Sequence, residues 1–119
     1  QEFQSNNIRV SIFVDPIEAM IDGAKATGTD RIELYTEVFA HQYGLGNEKA
    51  IEPFVKAAIR ANELGLGIIA GHDLSLDNIK FFKDNIPNLL EVSIGHALVS
   101  ESLYLGFENV VNMYLNKLK

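Results

Sequence analysis

The stretch Leu66-Gly67-Ile68-Ile69-Ala70-Gly71-His72-Asp73 changes from apolar to polar within three residues. A short apolar run such as 66–70 is typical of a strand that is buried on both faces of a parallel sheet. Ile79 and Phe82 follow at helical spacing, in a helix expected to begin near Ser75 or Asp77, both favourable N-cap residues. The region predicts a strand and then a helix, with polar residues at their junction.

The pattern of a strand followed by a helix recurs three more times along the chain. Further strands are predicted at 8–14, 31–36 and 91–94, and the first of them should be buried on both faces. The helical faces predicted after them are Ile17, Met20, Ile21 and Ala24; Ile51, Phe54, Val55, Ala58 and Ile59; and Leu103, Phe107, Val110, Val111, Tyr114, Leu115 and Leu118. The segment around Gly44 and Gly46 is expected to be looser.

Alternating strands and helices indicate an α/β fold with parallel strands and right-handed crossovers. Four such units fit either a small doubly wound sheet or half of an eight-stranded barrel. An isolated four-stranded parallel sheet would have two unpaired edges. We therefore expect residues 1–119 to be the C-terminal half of a single TIM (β/α)8 barrel, supplying strands 5 to 8. Because the chain opens without Met, 1–7 is expected to be the tail of a preceding helix and its loop.

Charge and composition restrict the classes of function. The chain has 119 residues, a formal net charge of −6 and no cysteine. The absence of cysteine excludes a disulfide framework, a thiolate zinc site and a thiol nucleophile. The negative charge argues against a nucleic-acid partner, since phosphate backbones require clustered Lys and Arg. No apolar run is long enough to predict a membrane span, so a cytoplasmic enzyme or binding domain is expected.

The candidate functional residues lie at the predicted carboxyl ends of the strands, where α/β folds bind ligands. They are Asp15, Glu33, Thr36, Glu37, His72, Asp73 and His96. Glycine before each of the last two histidines lets backbone N–H groups approach a ligand, and histidine can donate or accept a proton near neutral pH. Phosphate-binding barrels hold the anion after strands 7 and 8, beside a short extra helix. Here that corresponds to 71–73 and 95–97, with the extra helix at about 98–102, and predicts a phosphorylated ligand.

Three motifs resemble the C-terminal half of the pyridoxine 5′-phosphate synthase family, over essentially the whole chain. They are Ile32-Glu33-Leu34-Tyr35-Thr36, the stretch from Leu66 to Leu74, and Ile94-Gly95-His96-Ala97-Leu98. The resemblance implies a barrel enzyme that condenses 3-amino-2-oxopropyl phosphate with 1-deoxy-D-xylulose 5-phosphate. The products would be pyridoxine 5′-phosphate, inorganic phosphate and water, in vitamin B6 biosynthesis. It also implies no metal or other cofactor, and a homo-oligomer, which is an octamer in the family.

The resemblance also implies roles for individual residues. His72 would be the proton donor, and Glu33 the carboxylate that stabilises the transition state. Asp73, Gly95 and His96 would contact the phosphate of the amino ketone. Since a carboxylate repels phosphate, we expect Asp73 to use its backbone and to point its side chain away. The rest of the family's active site lies in the N-terminal half, so this chain alone is expected to be inactive.

The chain departs from the family pattern at two places. Tyr35-Thr36-Glu37 stands where the family often has His-Thr-Gly, and Asp73 stands where it often has Gly. In a purely structural interpretation, Glu33 would be ion-paired, with Arg31 or Lys56 as partner. His41 is expected to be solvated.

The same residues allow three other interpretations. A metal site formed by the histidines and Glu33 is disfavoured, since no His-x-Glu or His-x-x-x-His spacing occurs. A receiver-like signalling domain with Asp15 as phosphoacceptor would need an acidic pair and a late Lys, and neither is present. A non-catalytic α/β domain that binds a phosphate ligand remains the alternative to an enzyme.

Overall fold

Four parallel strands form the single sheet of the computed structural model, which describes residues 1–119. They are β1 (Ser11–Val14), β2 (Arg31–Tyr35), β3 (Gly67–Gly71) and β4 (Leu89–Ser93). Each strand pairs in parallel with the next one along the chain, so the order in the sheet is β1-β2-β3-β4. The predicted α/β fold with four parallel strands is confirmed at this level.

Seven α-helices connect or flank the strands. They are α1 (Glu2–Ser5), α2 (Glu18–Ala26), α3 (Glu37–Gly44), α4 (Glu52–Glu63), α5 (Ile79–Asn85), α6 (His96–Leu105) and α7 (Phe107–Lys117), with a 3₁₀ turn at Glu48–Ile51. None of them combines the length and the apolar composition that crossing a membrane requires.

The main core lies between the helices and one face of the sheet. Alternate strand residues, such as Ile32, Leu34 and Ile68, belong to one buried cluster with Phe54 and Ala58 of α4. Burying a side chain of this size stabilises the fold by about 1.5–3 kcal/mol. Since successive side chains of a strand point to opposite faces, the intervening strand residues form a second face.

This second face of the sheet carries charged side chains. Phe13, Glu33, Ile69 and Glu91 are opposite one another in register across the four strands. Glu91 forms ion pairs with Arg31, the first residue of β2, and with Arg9, which precedes β1, both at the amino ends of the strands. The second face therefore carries a layer of ion pairs at the amino ends of the strands, on the side of the sheet away from its carboxyl ends.

The first strand is shorter and more exposed than the sequence predicts. β1 begins at Ser11 rather than at Ile8, and Phe13 is 54% exposed. The prediction that this strand is buried on both faces is wrong for the chain as described, because only one face of β1 is covered: Val14 is buried and Ile12 partly buried, whereas Ser11 and Phe13 on the second face are exposed.

The predicted loose segment is instead the helix α3. Phe39 anchors it, with ring centroids 6.0 Å from Phe54 and 5.0 Å from Phe82. The glycines that suggested a loop lie at its end and beyond, where Gly46 has a φ of 84°. Burial of one large aromatic residue therefore outweighs a weak helical pattern.

The predicted last helix is two helices, α6 and α7, separated by Gly106 with a φ of 85°. The predicted apolar stripe assumed one continuous helix, and the break changes its phase, so that only Val110 and Tyr114 are buried. Three residues predicted to be buried are exposed: Leu103, Phe107 and Leu115. α6 also begins at His96, two residues before the predicted extra helix.

Smaller corrections concern helix faces and a helix start. Ile17, Met20 and Ile59 are exposed rather than core residues. The N-cap of α5 is Asn78, not Ser75 or Asp77. The side-chain oxygen of Asn78 accepts a hydrogen bond from the N–H of Ser75, at 2.9 Å. Residues 75–78 consequently form a turn before the helix begins.

Candidate active site

A cleft of about 500 Å³ opens at the carboxyl ends of β2, β3 and β4. The structure brings all five predicted site residues together in its lining. The lining residues are Phe13, Glu33, His72, Asp73, Ser93, Ile94, Gly95 and His96. Three other candidates lie outside this cleft: Asp15 borders a neighbouring pocket, Thr36 is buried, and Glu37 begins α3. His41, which was expected to be solvated, is exposed on α3.

Glu33 reaches the cleft by passing close over the backbone of Gly71. A Cβ atom on Gly71 would collide with the Glu33 carboxylate and come within 3.1 Å of the Cβ of Ser93. Glycine is therefore required there for Glu33 to keep this position. The ion pair of the purely structural interpretation, between Glu33 and Arg31 or Lys56, is not formed, and Arg31 pairs with Glu91 instead. The Glu33 carboxylate forms no ion pair within the chain.

The imidazole of His72 lies between two aromatic rings. Its centroid is 4.5 Å from the ring of Tyr35 and 5.6 Å from that of Phe13. The contact with Phe13 is edge-to-face, a geometry that aromatic rings favour. The two rings restrict the orientation of the imidazole.

Tyr35 is a site residue that sequence reasoning missed. Its hydroxyl donates a hydrogen bond to the carboxylate of Glu37 at 2.5 Å. This hydrogen bond, assisted by burial, raises the pKa of the Tyr35 phenol above its usual value. The phenol remains protonated and tied to Glu37 around neutral pH. The sequence contained an indication, since Tyr35 is two residues from Glu33 and so shares its face of the strand.

Two buried polar residues hold the turn that follows β3. The Thr36 hydroxyl lies 2.7 Å from the carbonyl oxygen of Gly71 and within hydrogen-bond distance of that of His72. The Asn78 amide donates to the carbonyl of Asp73 at 3.2 Å. Thr36 was a candidate because it follows a predicted strand. Asn78 was missed because residue spacing does not indicate its hydrogen bond to the backbone of Asp73, five residues earlier.

The backbone of Asp73 is left-handed, with a φ of 57°. Glycine adopts this conformation without cost, and Asp and Asn adopt it more readily than other residues. This explains in physical terms how an aspartate fits where the resembling family often has glycine. Asp73 lines both the cleft and a second pocket beside α3.

The N-terminus of α6 faces the same cleft. Gly95 is its N-cap, and the first helical hydrogen bond runs from the N–H of Val99 to the carbonyl of Gly95, at 3.2 Å. The N–H groups before Val99 have no partner within the helix, and such groups favour anions. No Lys or Arg lines the cleft. Across the structure, no three side chains of His, Cys, Asp or Glu are grouped so as to hold a metal ion.

Comparisons with known proteins indicate the same family along the whole chain. Residues 1–119 match the family model described as pyridoxal phosphate biosynthesis protein PdxJ. The chain is 78% identical over 119 residues to the pyridoxine 5′-phosphate synthase of Flavobacterium johnsoniae. It is 61% identical over 118 residues to that of Christiangramia forsetii, and 50% identical over 118 residues to that of Porphyromonas gingivalis. The matches cover 99–100% of this chain, which spans about half the length of these curated relatives.

Proposed function

Because the chain belongs to the family of the pyridoxal phosphate biosynthesis protein PdxJ, we propose that it is the acid-donating part of a pyridoxine 5′-phosphate synthase. The proposed reaction condenses 3-amino-2-oxopropyl phosphate with 1-deoxy-D-xylulose 5-phosphate, giving pyridoxine 5′-phosphate, inorganic phosphate and water. The observation that carries the proposal is the single cleft that combines Glu33, His72 and the Gly95-His96 pair.

We propose further that the sheet forms strands 5 to 8 of a (β/α)8 barrel. The strand order follows the chain without reversal, whereas doubly wound sheets reverse their order at a switch point. The charged second face of the sheet would become the barrel interior, and the edges of β1 and β4 would pair with further strands. In this arrangement 1–119 is the C-terminal half of one barrel domain, and 1–7 is the tail of a preceding helix and its loop.

His72 is proposed as the general acid of this reaction. To leave as water, a hydroxyl group must gain one proton and a carbonyl oxygen two, and a protonated imidazole can supply a proton near neutral pH. Its position between Tyr35 and Phe13 directs the ring toward the cleft. The Glu33 carboxylate, which lines the same cleft, would stabilise the positive charge that develops during ring formation.

The phosphate of the amino ketone is proposed to bind the backbone after β3 and β4, at Asp73, Gly95 and His96. Each interaction with a helix terminus contributes about 0.3–1 kcal/mol when exposed and up to ~2 kcal/mol when partly buried. Several such groups must converge on one anion. Cationic side chains for the phosphates would come from the remainder of the barrel, so the 119-residue chain alone would be inactive.

The assembly and location form part of the same proposal. Membership of the family supports a homo-oligomer, an octamer by the resemblance, in the cytoplasm. Neither a metal nor another cofactor is assigned a role.

The test is the His72→Asn variant of the complete protein, assayed for pyridoxine 5′-phosphate from the two substrates. Losing a positioned acid should lower kcat by roughly 10²- to 10⁴-fold, while substrate binding remains largely intact. Wild-type turnover in the variant would remove His72 from the mechanism. A complete wild-type protein that binds phosphorylated ligands without turnover would support the alternative, a non-catalytic binding domain.

A further inference from the structure

We propose that Thr36 is a positioning residue that holds His72 in its reactive orientation through the backbone. The inference deepens the proposed function and rests on it, since it concerns the same cleft. Thr36 itself does not line the cleft. It would act on the turn between β3 and α5, from the neighbouring strand end.

The first support is the burial and bonding of Thr36. The residue is 0% exposed, and a buried hydroxyl requires a hydrogen-bond partner. Its hydroxyl is shared between the carbonyl oxygens of Gly71 and His72. Its backbone N–H also donates to the carbonyl of Gly71, at 2.9 Å. The end of β2 is thereby fastened to the two residues that precede Asp73.

The second support is the conformation of the turn. His72 and Asp73 have φ values of 84° and 57°, two successive left-handed residues that are not glycine. Such a conformation is costly and persists only where the surroundings hold it in place. Here the surroundings are Thr36 on one side and Asn78, which donates to the carbonyl of Asp73, on the other.

The consequence concerns the imidazole. The φ of His72 determines where its side chain leaves the backbone, and therefore whether the ring enters the space between Tyr35 and Phe13. Without the Thr36 hydroxyl, the turn can relax toward ordinary backbone angles and carry the ring away. A displacement of about 1 Å in a catalytic group can lower the rate by about 10²-fold.

The chain contains a closely matched control in Thr29. Thr29 is also buried, at 8% exposed, and its hydroxyl is likewise shared between two backbone carbonyls. These belong to Val10 and Arg31, at 3.0 and 3.1 Å. They lie at the amino end of the sheet, opposite to the cleft. Thr29→Val therefore removes the same chemical group with no path to His72.

The experiment compares Thr36→Val, Thr36→Ser and Thr29→Val in the complete protein. We expect Thr36→Val to lower kcat by about 10- to 100-fold, and Thr36→Ser, which keeps the hydroxyl, to recover kcat to within about threefold of wild type. Thr29→Val and Thr36→Val should lower the midpoint of thermal unfolding by similar amounts, but Thr29→Val should keep kcat within about threefold of wild type. In crystal structures of the two valine variants, the left-handed turn should be lost and the His72 ring displaced in Thr36→Val. Both should be unchanged in Thr29→Val.

Two results would overturn the inference. One is an equal loss of kcat in Thr36→Val and Thr29→Val, which would indicate a general effect on stability. The other is an unchanged turn and an unchanged His72 ring in the Thr36→Val crystal structure. If Thr36→Val does not fold, failure of Thr36→Ser to keep wild-type kcat refutes the inference. A wild-type protein that makes no product would refute the proposed function instead, and the crystal structures would still decide the role of Thr36.

Discussion

Asp73 shows how a single backbone angle decides which side chains a site tolerates. Its φ of 57° suits Gly, Asn or Asp, whereas a β-branched residue would be strained there by about 1–2 kcal/mol. If Asp73 serves through its backbone N–H, the carboxylate is dispensable. The conformation, not the charge, is then what the position requires.

We therefore expect Asp73→Gly to retain kcat/KM for the amino ketone phosphate within about threefold of wild type. Asp73→Val should lower kcat/KM by about tenfold or more, because relief of the strain would move the backbone N–H away from the phosphate, and each 1.36 kcal/mol of lost transition-state stabilisation corresponds to a factor of ten. Steady-state kinetics of both variants in the complete protein, with unfolding midpoints as a control, provide the measurement. An equal loss in the two variants would show that the carboxylate itself takes part.

At the residue scale, the sequence identified the residues that line the cleft better than the residues that support them. Glu33, His72 and His96 could be predicted because parallel strands bring their carboxyl ends to one edge, and all three line the cleft. The Tyr35–His72 contact could not, because it depends on the left-handed turn after β3. Composition and spacing contain little information about such a turn.

At the scale of secondary structure, the N-terminus of α6 is the proposed anion-binding element. Gly95 has a φ of −110°, which any residue can adopt, and a Cβ atom there would meet no other atom within 4 Å. The fold therefore has room for a side chain at this position. A phosphate bound to the backbone would occupy the same space, so a side chain here would displace it.

Gly95→Ala and Gly95→Val should consequently weaken the binding of inorganic phosphate, by about tenfold or more for valine. The unfolding midpoint should change little, apart from the modest loss of a favourable N-cap. Calorimetric titration of phosphate into the complete protein and both variants measures the effect. Phosphate affinity that does not fall as the side chain grows would exclude this helix terminus as the site.

The long, strongly patterned elements could be predicted, and the short or interrupted ones could not. β2, α4 and β4 lie where their patterns placed them, within one to three residues. α3 was missed because its stability depends on Phe39 contacting residues of α4 and α5 that are distant in sequence. The separation of α6 from α7 was missed because periodicity alone does not show that Gly106 is left-handed.

At the scale of the whole molecule, the sheet has helices against one face and charged residues on the other. β1 and β4 have free edges in this chain, and an exposed strand edge can pair with another chain unless it is covered or blocked. Closure of a barrel would pair both edges and enclose the layer of Glu91, Arg9 and Arg31. The chain spans about half the length of its curated relatives, which agrees with such a closure.

The most direct measurement is a crystal structure of the complete protein with 3-amino-2-oxopropyl phosphate bound. We expect β1 and β4 to pair with further strands and close an eight-stranded barrel. We also expect the phosphate to accept hydrogen bonds from the N–H groups around Gly95 and His96, with the His72 imidazole facing the ligand. An open sheet, or a phosphate bound away from the carboxyl ends of β3 and β4, would contradict the central claim.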